Sequence, residues 1–175
     1  SEKNTPQVSR GVEGKIKPSS TNQSLELSAN FTDFGAYEGK ATPLSGSTSI
    51  RLHPHTIEAE NFSSHKGPQI LNGEGVKFVG AINHSHWIEY PGFRIKDCKN
   101  LTVRYASGGA GAEILITANG NKVANAEIKP TGDWNKWEEL TIPLINLPEG
   151  LVDLRFTFTN PGKQHLLNLD WFHLE

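Results

Sequence analysis

Acidic side chains near the two ends of a 120-residue stretch are the first features of this sequence that could do chemistry. Residues 166–174 read Leu-Leu-Asn-Leu-Asp-Trp-Phe-His-Leu. The segment is short, and apolar and polar residues nearly alternate, which is the pattern of a β-strand. A period of two puts Leu167, Leu169 and Trp171 on one face and Asn168 and Asp170 on the other. Residues 56–62 read Thr-Ile-Glu-Ala-Glu-Asn-Phe, and the same count places Glu58 and Glu60 on one face. Polar groups on apolar strands need partners, and neighbouring carboxylates repel unless a cation lies between them. If the two strands pair, Glu58, Glu60 and Asp170 converge. Three hard oxygen donors with no Cys or His among them suit Ca²⁺ better than a transition metal. A solvated strand face is the other reading of the same residues.

The remaining reactive residues form no catalytic pattern. A glycosidase needs two positioned carboxylates; Glu89, Asp133, Glu138 and Glu139 are available, but no motif fixes a distance between any two. Glu138 and Glu139 are adjacent in a strand-like stretch and point to opposite faces. There is no G-x-S-x-G, no Cys-His pair in context and no Gly-rich phosphate loop. His84 and His86, like His53 and His55, have the spacing of two ligands on one strand face, but zinc needs further ligands that no Cys-His cluster supplies. The single cysteine, Cys98, has no internal disulfide partner. These features point to a binding module rather than an enzyme.

Composition sets the outer bounds. The chain has 175 residues, a net charge of -2 and 21% charged residues. That is enough for one domain with a real core, and it lacks the basic excess a nucleic acid partner would want. No apolar run approaches the ~20 residues that cross a bilayer, so no membrane partner is expected. The first ten residues have no apolar core, as in a mature secreted chain. Residues 1–52 are rich in Ser, Thr, Gly, Lys and Asn, with few large apolar groups, and read as a linker or the tail of a preceding domain. The alternative is extra edge strands on the main domain, since residues 24–31 and 45–52 could each be a strand. Residues 53–175 carry short strands separated by turns. Asn119-Gly120 is a strong hairpin signal. In residues 152–159, Val152, Leu154, Phe156 and Phe158 form one face against Asp153, Arg155, Thr157 and Thr159. Trp137 and Trp171 lie in such alternating patterns and are expected in the core. Eight to ten strands in an all-β, antiparallel sandwich are expected.

Six short segments in order resemble a family. They are Ile57-Glu58-Ala59-Glu60, Val79-Gly80-Ala81-Ile82-Asn83, His86-Trp87-Ile88-Glu89-Tyr90, Val103-Arg104-Tyr105-Ala106-Ser107, Thr131-Gly132-Asp133-Trp134-Asn135-Lys136-Trp137 and Asn168-Leu169-Asp170-Trp171-Phe172. Together they resemble a family 6 carbohydrate-binding module, with family 35 the near relative, over about residues 55–175. The resemblance implies a jelly-roll β-sandwich, a structural Ca²⁺, a polysaccharide or oligosaccharide ligand, and a secreted parent chain with a polysaccharide-degrading catalytic domain. The metal ligands it implies are Glu58, Glu60 and Asp170, with a main-chain carbonyl near Lys77.

Sugars offer flat C–H faces and a fringe of hydroxyls, so their sites combine aromatic platforms with a few polar anchors. By resemblance the loop tryptophan is Trp134 and the anchoring asparagine is Asn168. Asn83 and His84, just beyond the Val79-Gly80 segment, join them as carbohydrate-binding candidates. Trp87 is the candidate centre of a second surface on a sheet face, with burial in the core as its alternative. The second aromatic wall of the family's cleft falls on Ala81, and Ser85-His86 replaces its usual Gly-Asp. Three readings follow: His84, His86 or Tyr90 replaces the wall; the cleft is open to a bulkier or charged glycan; or the domain is a structural accessory that binds no sugar. Residues 63–75, with His65, Asn72 and Glu74, are expected as a loop beside the cleft.

Overall fold

The structure is a computed structural model that describes residues 24–33 and 42–175, so most of the 1–52 segment lies outside the described residues. Within it, β1 (Leu25–Thr32) and β2 (Ser45–Leu52) pair with each other, Leu25 opposite Leu52, and join neither of the larger sheets. The remaining strands are β3 (Thr56–Glu58), β4 (Ser64–Lys66), β5 (Gln69–Gly73), β6 (Val76–Gly80), β7 (His86–Phe93), β8 (Asn100–Ala106), β9 (Ala112–Ala118), β10 (Asn121–Ile128), β11 (Glu138–Pro143), β12 (Val152–Thr159) and β13 (Asn168–Leu174). One sheet runs β10-β9-β12-β7-β4 and the other β11-β8-β13-β6-β5, with β3 paired to β13. All pairings are antiparallel. The two sheets therefore make the expected sandwich.

They hold five and six strands, more than eight to ten. The additions are the short β4, β5 and β6, in and after residues 63–75, where a loop was expected. The β5–β6 hairpin turns on Glu74-Gly75, with φ of 50 and 81°. Glu-Gly supplies the positive φ a two-residue turn needs, but it is a weaker signal than Asn-Gly. The Asn119-Gly120 turn forms as its dipeptide predicts, with φ of 49 and 83°.

The core lies between the sheets. Val152, Leu154, Phe156 and Phe158 are all buried, as are Leu101, Val103 and Tyr105. Each large side chain removed from water contributes about 1.5–3 kcal/mol. Tyr90, Phe156 and Phe172 pack as a cluster with centroids 4.8–5.5 Å apart. The buried Tyr90 hydroxyl donates to the Ala59 carbonyl at 2.6 Å.

Two tryptophans expected in the core are outside it. β13 carries a bulge: Leu169 opposes Tyr105, but Trp171 opposes Arg104, leaving Asp170 as the extra residue. An extra residue restarts the alternation. Phe172 enters the core and Trp171 is turned to the half-buried side, stacked on His173 at 5.4 Å. Trp137 precedes β11 rather than lying within it, and it packs beneath the Arg104 guanidinium, 5.1 Å from the ring, and edge-on to Phe78.

The candidate sugar cleft and the carboxylate corner

The connections β6–β7, β8–β9, β10–β11 and β12–β13 each cross between the sheets, and they meet at one end of the sandwich. Main-chain bonds tie them together. Thr131 N donates to Ser107 O at 2.9 Å and Leu166 N to Ile82 O at 2.7 Å. The buried Ser107 hydroxyl donates to Leu166 O at 2.6 Å. The Asn83 side-chain oxygen accepts from His165 N at 2.7 Å. These bonds satisfy backbone polar groups where the loops meet and fix the loops against one another.

Trp134 stands on this scaffold. Thr131 Oγ1 accepts from Ser107 N at 2.9 Å and donates to Asp133 O at 3.0 Å. Asp133 Oδ1 accepts from Asn135 N at 2.8 Å, closing a turn around the tryptophan. The ring rests on the backbone of Gly108 and Gly109: a Cβ at Gly108 would come within 2.8 Å of it. Only a glycine lets backbone approach that closely. Trp134 nevertheless stays 37% exposed. One face of the indole is thus supported and part of its surface faces solvent, as a stacking platform requires.

Asn168 opens β13 at the foot of the platform and is 7% exposed. Its Nδ2 donates to Trp134 O at 3.3 Å. Its Oδ1 faces Gly80, where a Cβ would lie 2.9 Å away. Trp134 and Asn168 therefore share one cleft of about 430 Å³, lined also by Leu71, Phe78, Ala81, His165 and Leu167. The volume lies in the range of small-ligand sites.

The other sugar candidates are placed differently. Asn83 braces the His165 loop, and neither it nor His84 lines the cleft. His84 is exposed, and its Nδ1 accepts from Asn160 N at 3.2 Å. No histidine or tyrosine named as a replacement wall takes that place. Tyr90 is buried in the core, and His86 packs on Gly67 and accepts from Asn83 N at 3.1 Å. Burial pushes the His86 pKa down, against a main-chain bond to Ala81 that raises it. Leu71 and His165 line the cleft instead, and neither was singled out in the sequence. Leu71 falls in a weakly patterned edge strand, and His165 in an unpatterned loop with φ of 50°. Glu74 reaches Asn135 Nδ2 at 3.1 Å, whereas His65 packs on Phe62 in the other sheet.

Trp87 is neither in the core nor bare. Ile88 and Tyr90 point inward, and Trp87 lies half-buried on the outer face of its sheet. The Arg155 guanidinium covers its ring at 4.1 Å and is itself held by Glu89 Oε2 at 2.8 and 2.9 Å.

The carboxylates meet near the other half of β13. β3 pairs with β13, Glu58 opposite Trp171. The strand ends there, and Ala59–Asn61 forms a 3-10 turn instead of continuing the alternation that was expected to carry Glu60. The three groups still come together. Burial, then the charges of Glu60 and Asp170, push the Glu58 pKa up. Burial also raises Asp170, offset by Arg104, which bonds its carboxylate. Lys77 Nζ lies 3.8 Å from Glu60 Oε1, whereas Glu60 Oε2 is buried with no hydrogen-bond partner among the described residues. With Asp170 turned onto Arg104 and Glu60 onto Lys77, no three His, Cys, Asp or Glu side chains among the described residues stand in metal-holding geometry as placed. The donor set and the orphaned buried oxygen nevertheless fit a hard cation.

Comparison with known proteins agrees with this geometry. The profile described as carbohydrate binding module (family 6) matches residues 58–175. A family 6 module from Clostridium cellulolyticum, solved in complex with xylose, is 25% identical with a TM-score of 0.63; the match covers 69% of this chain and 95% of that one. A β-1,3-glucan binding module from Bacillus halodurans is 26% identical with a TM-score of 0.62, over 69% and 94% of the two chains. A cycloisomaltooligosaccharide glucanotransferase from Niallia circulans is 35% identical over 82 residues, which are 46% of this chain and 8% of that protein. The chain thus spans only a small part of the curated relative it matches. It belongs to family 6 of the carbohydrate-binding modules, a family of non-catalytic domains.

Proposed function

We propose that the cleft beside Trp134 binds a glycan chain, and that the module thereby holds an attached polysaccharide-degrading catalytic domain against its substrate in a secreted protein. The observation that carries this reading is Trp134, its ring backed by glycine backbone and the residue still 37% exposed, in a cleft shared with Asn168. A sugar ring stacks on the indole, and Asn168, with Oδ1 and one N–H beyond its bond to Trp134 O, anchors hydroxyls. Weak binding to a polymer raises the effective concentration of a tethered catalytic domain. Residues 53–175 form the binding unit. The β1–β2 hairpin joins neither sandwich sheet, and Phe31, Ile50 and Leu52 are exposed on it, which supports reading residues 1–52 as the tail of a preceding domain or a linker.

At the carboxylate corner, Glu58, Glu60 and Asp170, with the main-chain carbonyl of Lys77, would hold a structural calcium ion. Bound there, the ion supplies positive charge between groups that otherwise repel. It would tie β3 to β13 and stabilise the folded state by mass action.

Calorimetric titration tests the sugar reading. The panel starts with xylans and β-1,3-glucans, after the ligands of the two similar structures, and includes isomaltooligosaccharides, after the glucanotransferase. Binding that disappears in Trp134→Ala is the expected result. Ala81 in place of an aromatic wall favours a second reading, a structural accessory domain with no ligand. No heat with any glycan, from a folded protein, would establish that one instead.

A further inference from the structure

The cleft is lined mostly by apolar side chains. Of its seven lining residues, Leu71, Phe78, Ala81, Trp134 and Leu167 are apolar, leaving only His165 and Asn168. Asn168 divides the cleft. Its Nδ2 is turned to the Trp134 carbonyl and its Oδ1 toward Gly80, beside the Leu71 and Phe78 side chains that close on Gly80 and line the same cleft as the indole. Gly80 itself is closed in: a Cβ there would meet Leu71 Cδ1 at 2.6 Å and Phe78 Cε2 at 3.1 Å. Phe78 is buried in the wall they form, and Leu71 lies at its exposed edge. Ala81 sits at its end with φ of 53°, contributing a single methyl group.

A sugar stacked on Trp134 must present substituents to that wall. A hydroxyl turned onto the side chains of Leu71, Phe78 and Ala81, rather than to Asn168 Oδ1, would give up water there and gain no partner from them, which is unfavourable. A methyl group loses nothing and gains burial. The absence of an aromatic at position 81 leaves the room. We propose that the cleft selects glycans carrying a methyl-bearing substituent, an acetyl group or the methyl of a 6-deoxy sugar, seated on the wall of Leu71, Phe78 and Ala81. This deepens the glycan-binding reading above and rests on it.

The test uses matched ligands in which a methyl-bearing group replaces a hydroxyl or its hydrogen. Acetylated xylan is compared with the same xylan after alkaline deacetylation, and an L-fucoside with the matching L-galactoside, by titration into the full chain. One buried methyl is expected to strengthen binding about fourfold. Preference for the acetylated or for the 6-deoxy member supports the inference and identifies which source supplies the methyl. Ala81→Tyr, which fills the space, is expected to abolish the preference. Leu71→Gln, on an edge strand and less disruptive to folding, is expected to do the same by giving hydroxyls a partner. Binding that needs Trp134 but is equal for both members of each pair overturns the selectivity and leaves the glycan site standing. No binding of any member, in native protein and Trp134→Ala alike, removes both.

Discussion

The two candidate sites hang on the same strand, two residues apart, and they are built in opposite ways. At the loop end, Asn168 belongs to a cleft whose key side chains are held in place: the indole rests on glycine backbone, and the amide Nδ2 is bonded to Trp134 O. At the carboxylate corner, Asp170 shares a crowded space with Glu58 and Glu60, and one buried Glu60 oxygen has no hydrogen-bond partner among the described residues. The first site is preorganised, so its ligand need not reorder it. The second is electrostatically incomplete, so a ligand there contributes stability. The bulge at Asp170 makes the division possible. It turns Asp170 toward Arg104 while Asn168, ahead of it, stays at the rim.

If the sites are that different, substitutions should separate them cleanly. The largest effect is expected from Trp134→Ala, which should cost at least about 2 kcal/mol of glycan binding, roughly 30-fold in Kd. The melting temperature and its response to calcium should be unchanged. Asp170→Ala should do the reverse. Chelation should lower the melting temperature of the parent protein by about 5–10 °C if calcium stands near 100 times its Kd, and that response should vanish in the variant. A chelator that leaves the parent melting curve unmoved would falsify the calcium assignment. Gly108→Ala is a subtler probe of preorganisation. Its Cβ would lie 2.8 Å from the indole and must displace the ring. About fivefold weaker binding is expected from a strain near 1 kcal/mol, with thermal stability little changed. Binding as tight as the parent's would show that the ring's seat does not matter.

Much of this was legible in the sequence because it depends on pattern. Alternation in residues 152–159 identified a core strand without help from tertiary context. The convergence of Glu58 and Asp170 was legible only on the condition that the first and last strands pair, a condition the β3–β13 ladder meets. What stayed hidden depends on single-residue irregularities. The bulge shifts Trp171 out of the core and Phe172 into it, yet nothing in Leu-Asp-Trp-Phe marks it. The 3-10 turn at Ala59–Asn61 likewise breaks the count that was to carry Glu60. The cleft wall was hidden for another reason. Leu71 reaches the site through a hairpin formed by Glu-Gly, and His165 through a loop held by the Asn83 side chain. Position in such loops is set by contacts far away in sequence.

The finest expected effect tests the charge balance at the corner directly. Glu58 and Asp170 both have pKa values raised in the folded state, in each case with burial as the leading cause. For such a group the folded state binds its proton more tightly than the unfolded chain does. Its contribution to stability is therefore fully present below the unfolded pKa and is lost as pH rises through the folded one. In chelator, acidification from neutral pH through the upper carboxylate range should raise the melting temperature at first, before other carboxylates are titrated. With calcium present the trend should invert, because protons and the ion compete for the same oxygens. The two curves should converge at the acidic end. Curves that stay parallel throughout would mean that these carboxylates hold no ion, and that Arg104 and Lys77 alone balance them.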